Sequence, residues 1–421
     1  MGGEDDLGAV RAGAGKMKVL FIPGNVYHVR MFSNVYRRLR AEVVALSLEA
    51  YGEKGRAGIE RALAERGIPF RRVTDYWRDE PGFILEVERP DVVVVMNDVD
   101  PDCFPFVSEA NRRGIPTLLI AEGISFGEPP VERGPSFLLR VVKNIITSGN
   151  PMHTSKVLLR GMGWRLSGRT VPDYDRYGMS CSRVAVWGEY SKELLVGRGA
   201  DPARIEVTGN PLFDDFVEGR FNPDSVRRNL GMRAGERLVV YASCNPVDIG
   251  WWTKKEVGRT VRAVRRVVEG IPGCRLVIRP HPTEREEIYR EHLGGESERV
   301  RVSKTERLYD LLSACDILIT DASVVGFEAA VMGKPVVVVN LTGKPHLIQD
   351  YPSLLVREGV ALEARNEGEL QRQISEILTG GEIAGRIGEK RERFVEKYCH
   401  RLDGRSSERV VRLIERMAGG R

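Results

Sequence analysis

A histidine held between two prolines is the sharpest chemical feature of this sequence. The segment Arg279-Pro280-His281-Pro282 directly follows an apolar run at 275–279. Because proline fixes its own backbone angle, His281 should lie on a stiff, non-helical turn and be pre-placed against a ligand. We therefore predict that Arg279 and His281 bind a ligand. The alternative is a rigid loop without a ligand.

A second chemical feature is a polar segment that ends the apolar run at 316–320 and leads into a helical pattern. Ser323 is a residue type that caps helices, and Gly333 is a typical terminator. The free N–H groups and positive dipole end of such a helix bind phosphate or pyrophosphate. The residues predicted to bind the phosphate-bearing ligand here are Thr320, Asp321, Ser323, Val324, Val325, Gly326 and Glu328.

Glu328 stands out because it interrupts an otherwise apolar helical run, VGFEAAVM. A buried carboxylate needs a partner, and a carboxylate can accept two hydrogen bonds from a ribose diol. We predict that Glu328 binds the ribose, the alternative being a solvated helix face. Asn340, Thr342 and His346 follow the next strand, where a binding role and a plain polar loop are equally favoured.

In the first half of the chain, carboxylates follow two apolar runs. Glu122 follows the run at 116–121, and we predict that it is a general base, the alternative being a capping or structural hydrogen bond. Asp98 and His28 are weaker choices for the same role. Gly24 and Asn25 follow the first strand and are predicted to form an acceptor or phosphate loop. The sequence has no G-x-G-x-x-G motif, which argues against a dinucleotide cofactor.

The elements that position these residues are apolar runs without alternation, separated by helical patterns. Such runs are typical of strands buried on both faces of a parallel sheet, where ligands bind beyond the carboxyl ends. We predict an α/β fold with two Rossmann-like doubly wound sheets. The predicted strands are 18–22, 42–48, 70–74, 91–96, 116–121, 183–187 and 205–208 in the first domain, and 238–243, 275–279, 300–303, 316–320, 335–339 and 361–364 in the second.

The domain boundaries follow from this pattern and from the length of 421 residues, which suits two domains. We expect a disordered leader at 1–16, an N-terminal domain at 17–216, a linker at 217–236, a nucleotide-binding domain at 237–390, and closing helices at 391–421.

Composition narrows the class of protein. The net charge of +5 is small for this length and argues against a nucleic-acid binder. The six cysteines form no C-x-x-C pair, and no apolar stretch is long enough to span a membrane, so we expect reduced thiols in a cytoplasmic protein. No metal site is expected, since Asp98-Val99-Asp100 is more typical of an acidic loop.

A basic and apolar stretch at 131–170 holds seven Lys or Arg against one Glu. Such interleaving fits a helix on an anionic membrane surface, which would bring the enzyme to a lipid-linked acceptor. The alternative is a core-facing stripe with a solvated basic face.

Several motifs together resemble a known superfamily. They are WGEYS at 187–191, RIEVTGNP at 204–211, RPHPTE at 279–284 and TDASVVGFEAAVMGKPVVVVN at 320–340. These segments resemble the GT-B superfamily of UDP-N-acetylglucosamine 2-epimerases, CDP-glycerol glycerophosphotransferases and surface-polysaccharide glycosyltransferases. The segment at 394–411 is similar to the closing helix of the CDP-glycerol group.

The resemblance implies two Rossmann-like domains of GT-B type facing a cleft, with the nucleotide held by the second domain. It adds Gly209 and Asn210 to the donor-binding residues. Two differences bear on the reaction: Ser243-Cys244-Asn245-Pro246-Val247 stands where the epimerases carry His-Arg-Arg-Glu-Asn, and Glu122-Gly123 stands where the CDP-glycerol enzymes have His-Gly.

From these residues and this resemblance we expect a transferase that moves a sugar or polyol phosphate from a UDP- or CDP-linked donor to a cell-surface polysaccharide or lipid-linked acceptor. The donor is a substrate, and no cofactor is expected. Peripheral membrane association and a homodimer are compatible with this interpretation. The alternatives are a non-hydrolysing UDP-N-acetylglucosamine 2-epimerase and a non-catalytic nucleotide-sugar-binding protein.

Overall fold

A computed structural model describes residues 16–48, 52–124, 176–247, 252–282, 284–321, 323–344 and 351–419. The chain divides into two compact units. The first is built from the described parts of Met1–Ser125, Thr170–Glu218 and Tyr398–Arg421, and the second from those of Gly219–Lys397. The basic stretch at 131–170 and the predicted leader up to residue 15 lie outside the described residues.

The first unit contains a parallel sheet of seven strands. They are β1 Lys18–Ile22, β2 Glu42–Ser47, β3 Phe70–Arg72, β4 Val92–Val95, β5 Thr117–Ile120, β6 Arg183–Val186 and β7 Ile205–Val207, in the order β3-β2-β1-β4-β5-β6-β7. The central strands are buried along almost their whole length, which explains why their sequences lack alternation. The strand order reverses between β1 and β4, and this reversal is where such folds bind ligands.

Helices connect these strands in the first unit. They are α1 Val26–Tyr36, α2 Gly52–Glu65, α3 Pro81–Glu88, α4 Phe104–Arg112, α5 Glu189–Gly197 and α6 Asp214–Val217, together with α15 Ser406–Gly419 from the far end of the chain. Helix α1 begins at a well-defined cap, because the Asn25 side chain accepts a hydrogen bond from the His28 N–H. The cap places His28 in the first turn, at the carboxyl end of β1.

The second unit contains a parallel sheet of six strands. They are β8 Arg237–Ala242, β9 Cys274–Arg279, β10 Val300–Val302, β11 Ile317–Thr320, β12 Val336–Val339 and β13 Leu362–Ala364, in the order β10-β9-β8-β11-β12-β13. The helices are α7 Pro223–Asn229, α8 Lys254–Glu269, α9 Glu286–Leu293, α10 Leu308–Ala314, α11 Val325–Val331, α12 Tyr351–Arg357, α13 Glu367–Leu378 and α14 Glu382–Cys399. Here the strand order reverses between β8 and β11.

The two sheets confirm the predicted fold class. Every predicted strand is present in the described residues, with ends that differ from the prediction by no more than two residues. Within those residues no helix combines the length and apolar character needed to cross a membrane.

The chain returns to the first unit at its far end, where Asp214 holds the start of α15. Its two carboxylate oxygens accept the N–H groups of Ser406 and Ser407 at 2.9 and 2.8 Å. Gly209 has a positive φ of 79°, and a Cβ atom there would collide with the Ser406 side chain. Only glycine therefore fits this close approach between α15 and the turn after β7.

Candidate functional site

Glu122 lies just beyond the carboxyl end of β5, next to the reversal of strand order in the first sheet. Its Oε2 atom lies 2.5 Å from Nε2 of His28, and its Oε1 accepts a hydrogen bond from the Asn97 amide at 3.1 Å. The Glu122 backbone N–H donates to the Tyr177 hydroxyl at 3.2 Å. The carboxylate is thus fixed by residues that follow β1 and β4. Its side chain keeps 33% exposure, so a ligand can reach it.

The hydrogen bonds of His28 define its protonation pattern. The Gly24 N–H, which can only donate, lies 2.9 Å from Nδ1 of His28. Nδ1 therefore accepts, and a ring proton on Nε2 would be donated to Glu122; the Asn25 Nδ2 atom lies 3.0 Å from the same Nε2 atom. His28 is only 2% exposed. It is a positioning residue for the more exposed carboxylate, and Gly24 and Asn25 position His28 in turn.

Asp98 occupies a different environment from Glu122, although both follow central strands. It is fully buried, and its two oxygens accept the N–H groups of Gly178 and Ser180 at 2.9 Å each. Burial raises the pKa of Asp98 above its usual range, and these backbone hydrogen bonds oppose that rise. The contacts assign Asp98 to anchoring the segment before β6.

In the second unit, Asp321 forms hydrogen bonds that connect the carboxyl ends of β8 and β11, where the strand order reverses. Its Oδ1 accepts the Cys244 N–H at 2.9 Å, and its Oδ2 lies 3.3 Å from the hydroxyls of both Tyr241 and Ser243. Asp321 follows β11 and the other three residues end or follow β8. Thr320 reinforces the same junction, since its hydroxyl donates to the Ala242 carbonyl at 2.9 Å.

Tyr289 extends this network to the proline-flanked turn after β9. Its hydroxyl lies 2.7 Å from both Oγ of Ser243 and Oε1 of Glu284. The other oxygen of Glu284 accepts the His281 N–H at 2.8 Å. Burial raises the pKa of Tyr289, which keeps the hydroxyl protonated as a donor. The turn that carries His281 is therefore fixed by buried hydrogen bonds as well as by its prolines.

Arg279 and His281 lie on this turn with intermediate exposure. Arg279 donates from Nη1 to the Glu306 carbonyl at 2.7 Å, which directs the guanidinium along the loop after β10. The two residues are brought together at the carboxyl end of β9, as the sequence predicted. Their role in ligand binding stays a prediction.

The predicted phosphate helix is α11, and it differs from expectation in two details. The cap position is Val324 rather than Ser323, although the Ser323 hydroxyl still accepts the Val325 N–H at 3.3 Å. The helix spans only seven residues, Val325–Val331. A Cβ atom on Gly326 would lie 3.0 Å from the Thr320 methyl group, so glycine lets α11 pack closely on β11.

Glu328 is buried and has a protein partner. The Tyr309 hydroxyl donates to its Oε1 atom at 2.7 Å. This bond from α10 supplies at least part of the compensation that a carboxylate in an apolar helix requires. That Glu328 also binds a ribose stays a prediction.

The remaining predicted site residues lie elsewhere. Gly209 and Asn210 belong to the first unit, where Asn210 accepts the Leu212 N–H at 2.9 Å and caps the short helix Pro211–Phe213. Asn340 donates to the Lys344 carbonyl at 2.9 Å, and Thr342 contacts Asn340. His346 is outside the described residues, within which no group of three or more His, Cys, Asp or Glu is placed to hold a metal ion.

Sequence reasoning missed three residues of these networks. Asn97, Tyr177 and Tyr289 each hold a predicted residue or its turn through one hydrogen bond. Asn97 had a usable signal, because it directly follows a buried strand. Tyr177 and Tyr289 had no such sequence signal. The partner of Tyr177 is Glu122, on a distant segment, and the partner of Tyr289 is Glu284, which lies just before helix α9.

Two doubly wound parallel sheets, each with a buried or half-buried polar network at the reversal of its strand order, define a GT-B-type protein. Comparison with known proteins gives the family. A family model described as CDP-glycerol:poly(glycerophosphate) glycerophosphotransferase matches residues 197–416. The chain belongs to this family, which confirms the resemblance that the sequence motifs indicated.

Individual relatives agree with this family. A Thermotoga maritima protein named "Putative UDP-N-acetylglucosamine 2-epimerase" is 28% identical over 233 residues, which are 53% of this chain and 54% of the relative. The chain thus matches about half the length of this curated relative.

Solved structures show the same fold over almost the whole chain. A UDP-N-acetylglucosamine 2-epimerase from Neisseria meningitidis has a TM-score of 0.63 and 13% identity, covering 95% of this chain and 100% of that one. A wall teichoic acid polymerase has a TM-score of 0.59 and 13% identity, covering 96% and 89%. At these identities the likeness concerns the fold alone.

Proposed function

We propose that this protein transfers a sugar or polyol phosphate from a nucleotide-activated donor to an acceptor hydroxyl. The observation that carries the proposal is the His28–Glu122 pair, in which a half-exposed carboxylate is held by a buried imidazole at 2.5 Å. A carboxylate fixed in this way suits a general base. Membership of a glycerophosphotransferase family supports transfer as the reaction class.

In this mechanism Glu122 removes the proton of the acceptor hydroxyl. The acceptor oxygen bonds to the sugar carbon or to the phosphorus of the polyol phosphate, and the proton passes to a Glu122 oxygen. The leaving group departs with the bonding electrons, as a nucleoside diphosphate in the first case and a nucleoside monophosphate in the second. His28 and Asn97 keep the carboxylate oriented through the hydrogen bonds described above.

The second unit binds the donor in this proposal. Arg279 and His281 stabilise the charge that develops on the leaving phosphate, and the segment from Thr320 to Glu328 binds the rest of the nucleotide. We propose UDP- or CDP-linked donors, since the family name and the named relatives refer to such compounds. We propose that no cofactor or metal takes part, because the Arg279 guanidinium can meet the phosphate charge.

One observation favours a second candidate function. The Thermotoga maritima relative carries the name of a UDP-N-acetylglucosamine 2-epimerase. An epimerase would use the same donor-binding residues but no acceptor. Against this candidate, Ser243 and Cys244 occupy the place of the charged epimerase motif, and they form hydrogen bonds with Asp321 and Tyr289.

A product assay distinguishes these functions. The purified protein is incubated with CDP-glycerol or UDP-N-acetylglucosamine, each with and without a phosphate-terminated polyol acceptor, and products are separated by mass spectrometry. Transfer predicts nucleotide release that depends on acceptor. Epimerisation predicts a new UDP-sugar without acceptor, and binding without any product indicates a non-catalytic role.

The acceptor, the membrane and the oligomeric state form a separate part of the proposal. We propose that the acceptor is a lipid-linked phosphate at the cytoplasmic membrane face and that the basic stretch at 131–170 binds the anionic surface. Sedimentation with anionic vesicles should show binding that decreases as salt rises. If the wild type stays in the supernatant at low salt, the acceptor is soluble.

We also propose that the protein forms a homodimer. Light scattering, which measures the molar mass in solution, tests this proposal.

A further inference from the structure

A second cavity lies in the first unit, at the opposite edge of the sheet from Glu122. It has a volume of about 680 Å³ and is lined by residues that precede or begin β5, β6 and β7 and by one face of α15. The residues used below are Pro116, Arg183, Arg204, Glu206 and Arg416. Pro116 precedes β5 and Glu122 follows it, so the four-residue strand separates the two places by about 13 Å or more.

The cavity carries an excess of positive charge. Three arginines line it, whereas Glu206 is the one acidic residue in its lining. Glu206 forms an ion pair with Arg416. Arg183 and Arg204 instead donate to the neutral carbonyls of Ala203 and Met179, at 2.5 and 3.0 Å. These bonds orient the two guanidinium groups without neutralising them.

Arg204 has an unmet hydrogen-bonding requirement. Its Nε atom is buried and has no hydrogen-bond partner among the described residues. A buried donor on a cationic group is costly to leave unpaired, and the cost falls when an anion is bound nearby. Guanidinium groups match the geometry of phosphate oxygens and bind them through paired hydrogen bonds.

We propose that this cavity is a binding site for phosphate groups, separate from the catalytic edge of the sheet. Its ligand class is a soluble compound with several phosphates or phosphodiesters, because Arg183 and Arg204 both keep a positive charge that no acidic residue of the cavity lining offsets. The inference does not depend on the proposed transfer reaction, since it rests on charges at the amino ends of β5–β7 and on α15.

Binding is measured by isothermal titration calorimetry at low salt, with inorganic phosphate and with tripolyphosphate as probes. We expect tripolyphosphate to bind at least about tenfold more tightly than phosphate, because each further charged contact adds affinity. The double variant Arg183→Gln/Arg416→Gln should lose about tenfold or more of the tripolyphosphate affinity. Circular dichroism and thermal unfolding verify that the variant is folded.

Arg412→Gln is the matched control. Arg412 lies on the same helix, α15, but pairs with Glu408 and does not line the cavity. Its tripolyphosphate affinity should stay within about twofold of wild type. Equal losses in the control and in the double variant would show a nonspecific charge effect and overturn the site. Absence of tripolyphosphate binding to the wild type would also overturn it.

Two further arms separate the sources of phosphate and the two proposals. If the double variant loses binding to phosphatidylglycerol vesicles but keeps full tripolyphosphate affinity, the site is not one for a soluble polyphosphate. Glu122→Gln should keep wild-type tripolyphosphate affinity, because Glu122 lies at the other edge of the sheet. Loss of transfer therefore does not affect this test.

Discussion

Nε2 of His28 and Oε2 of Glu122 lie 2.5 Å apart, although 94 residues separate them in the chain. The pair joins the first turn of α1 to the carboxyl end of β5. Its orientation follows from the Gly24 N–H, which occupies Nδ1 of the ring and leaves Nε2 facing Glu122. A conformational change that moves α1 away from β1 would therefore remove the His28 contact and leave the carboxylate bonded to Asn97.

Glu122→Gln should reduce turnover by about two to four orders of magnitude, the usual contribution of a general base. Donor affinity, measured by calorimetry, should remain unchanged because the proposed donor-binding residues, such as Arg279 and His281, belong to the second unit. Asp100→Asn is the control, since Asp100 follows β4 at the same edge and accepts the Asp102 N–H. A Gln variant with nearly full turnover would move the base to another residue.

His281→Ala should lower turnover more than donor affinity, if the imidazole meets charge that develops on the leaving phosphate. Turnover and donor affinity are measured separately, by product release and by calorimetry. The turn should remain in place in this variant, because Glu284 binds the backbone N–H of residue 281 rather than its side chain. Equal losses in both quantities would make His281 a simple binding residue.

Glu328→Gln should weaken donor binding by about ten- to a hundredfold if the carboxylate accepts ribose hydroxyls, from a loss of about 1.5–3 kcal/mol. Tyr309→Phe is the matched variant, because it removes the hydroxyl that donates to Glu328 and keeps the carboxylate. If both variants lower the unfolding free energy equally and neither changes donor affinity, Glu328 is structural.

Tyr289→Phe should lower the unfolding free energy by about 1–3 kcal/mol, because Glu284 and Ser243 both lose a buried partner. It should also lower kcat/KM through a looser His281 turn. Tyr36→Phe removes a hydroxyl bonded to an exposed carbonyl, that of Gly67, and serves as the control. Reduced stability with unchanged kcat/KM would confine the role of Tyr289 to the core.

Asp98 should make the stability of the protein depend on pH. Its pKa is raised on folding, mainly by burial, so the folded state holds the proton more tightly than the unfolded state does. This contribution to stability is present below the unfolded pKa and is lost as pH rises through the folded value. Urea unfolding of the wild type and of Asp98→Asn between pH 4 and pH 7 measures this contribution. The unfolding free energy of the wild type should fall more steeply with rising pH than that of the variant. An identical pH dependence in the two proteins would contradict a raised pKa for Asp98.

The strands could be predicted from sequence because burial on both faces leaves a local signature. The runs KVLFI at 18–22 and DILIT at 316–320 each contain at least three consecutive apolar residues, and the structure places both in the interior of a sheet. The polar residues that end these strands were also predictable, because parallel strands bring their carboxyl ends to one edge.

Partners that lie far apart in sequence could not be predicted. The bond between Glu122 and His28 depends on the order β1-β4-β5, and that between Asp214 and Ser406 depends on where α15 packs. Glu328 illustrates the same point: its sequence showed that a buried acid needs a partner, but nothing in it indicated Tyr309. Local pattern identified the need, and only tertiary structure supplied the partner.

The return of the chain to the first unit determines when that unit can complete its folding during synthesis on the ribosome. Helix α15 packs against the turn after β7, and Asp214 binds its first N–H groups, so the first unit is finished only after the whole second unit has left the ribosome. Until then, Asp214 lacks the N–H groups of Ser406 and Ser407 that its carboxylate accepts in the complete protein. A nascent chain halted before residue 398 should therefore carry an incomplete first unit, sensitive to proteases around Gly209.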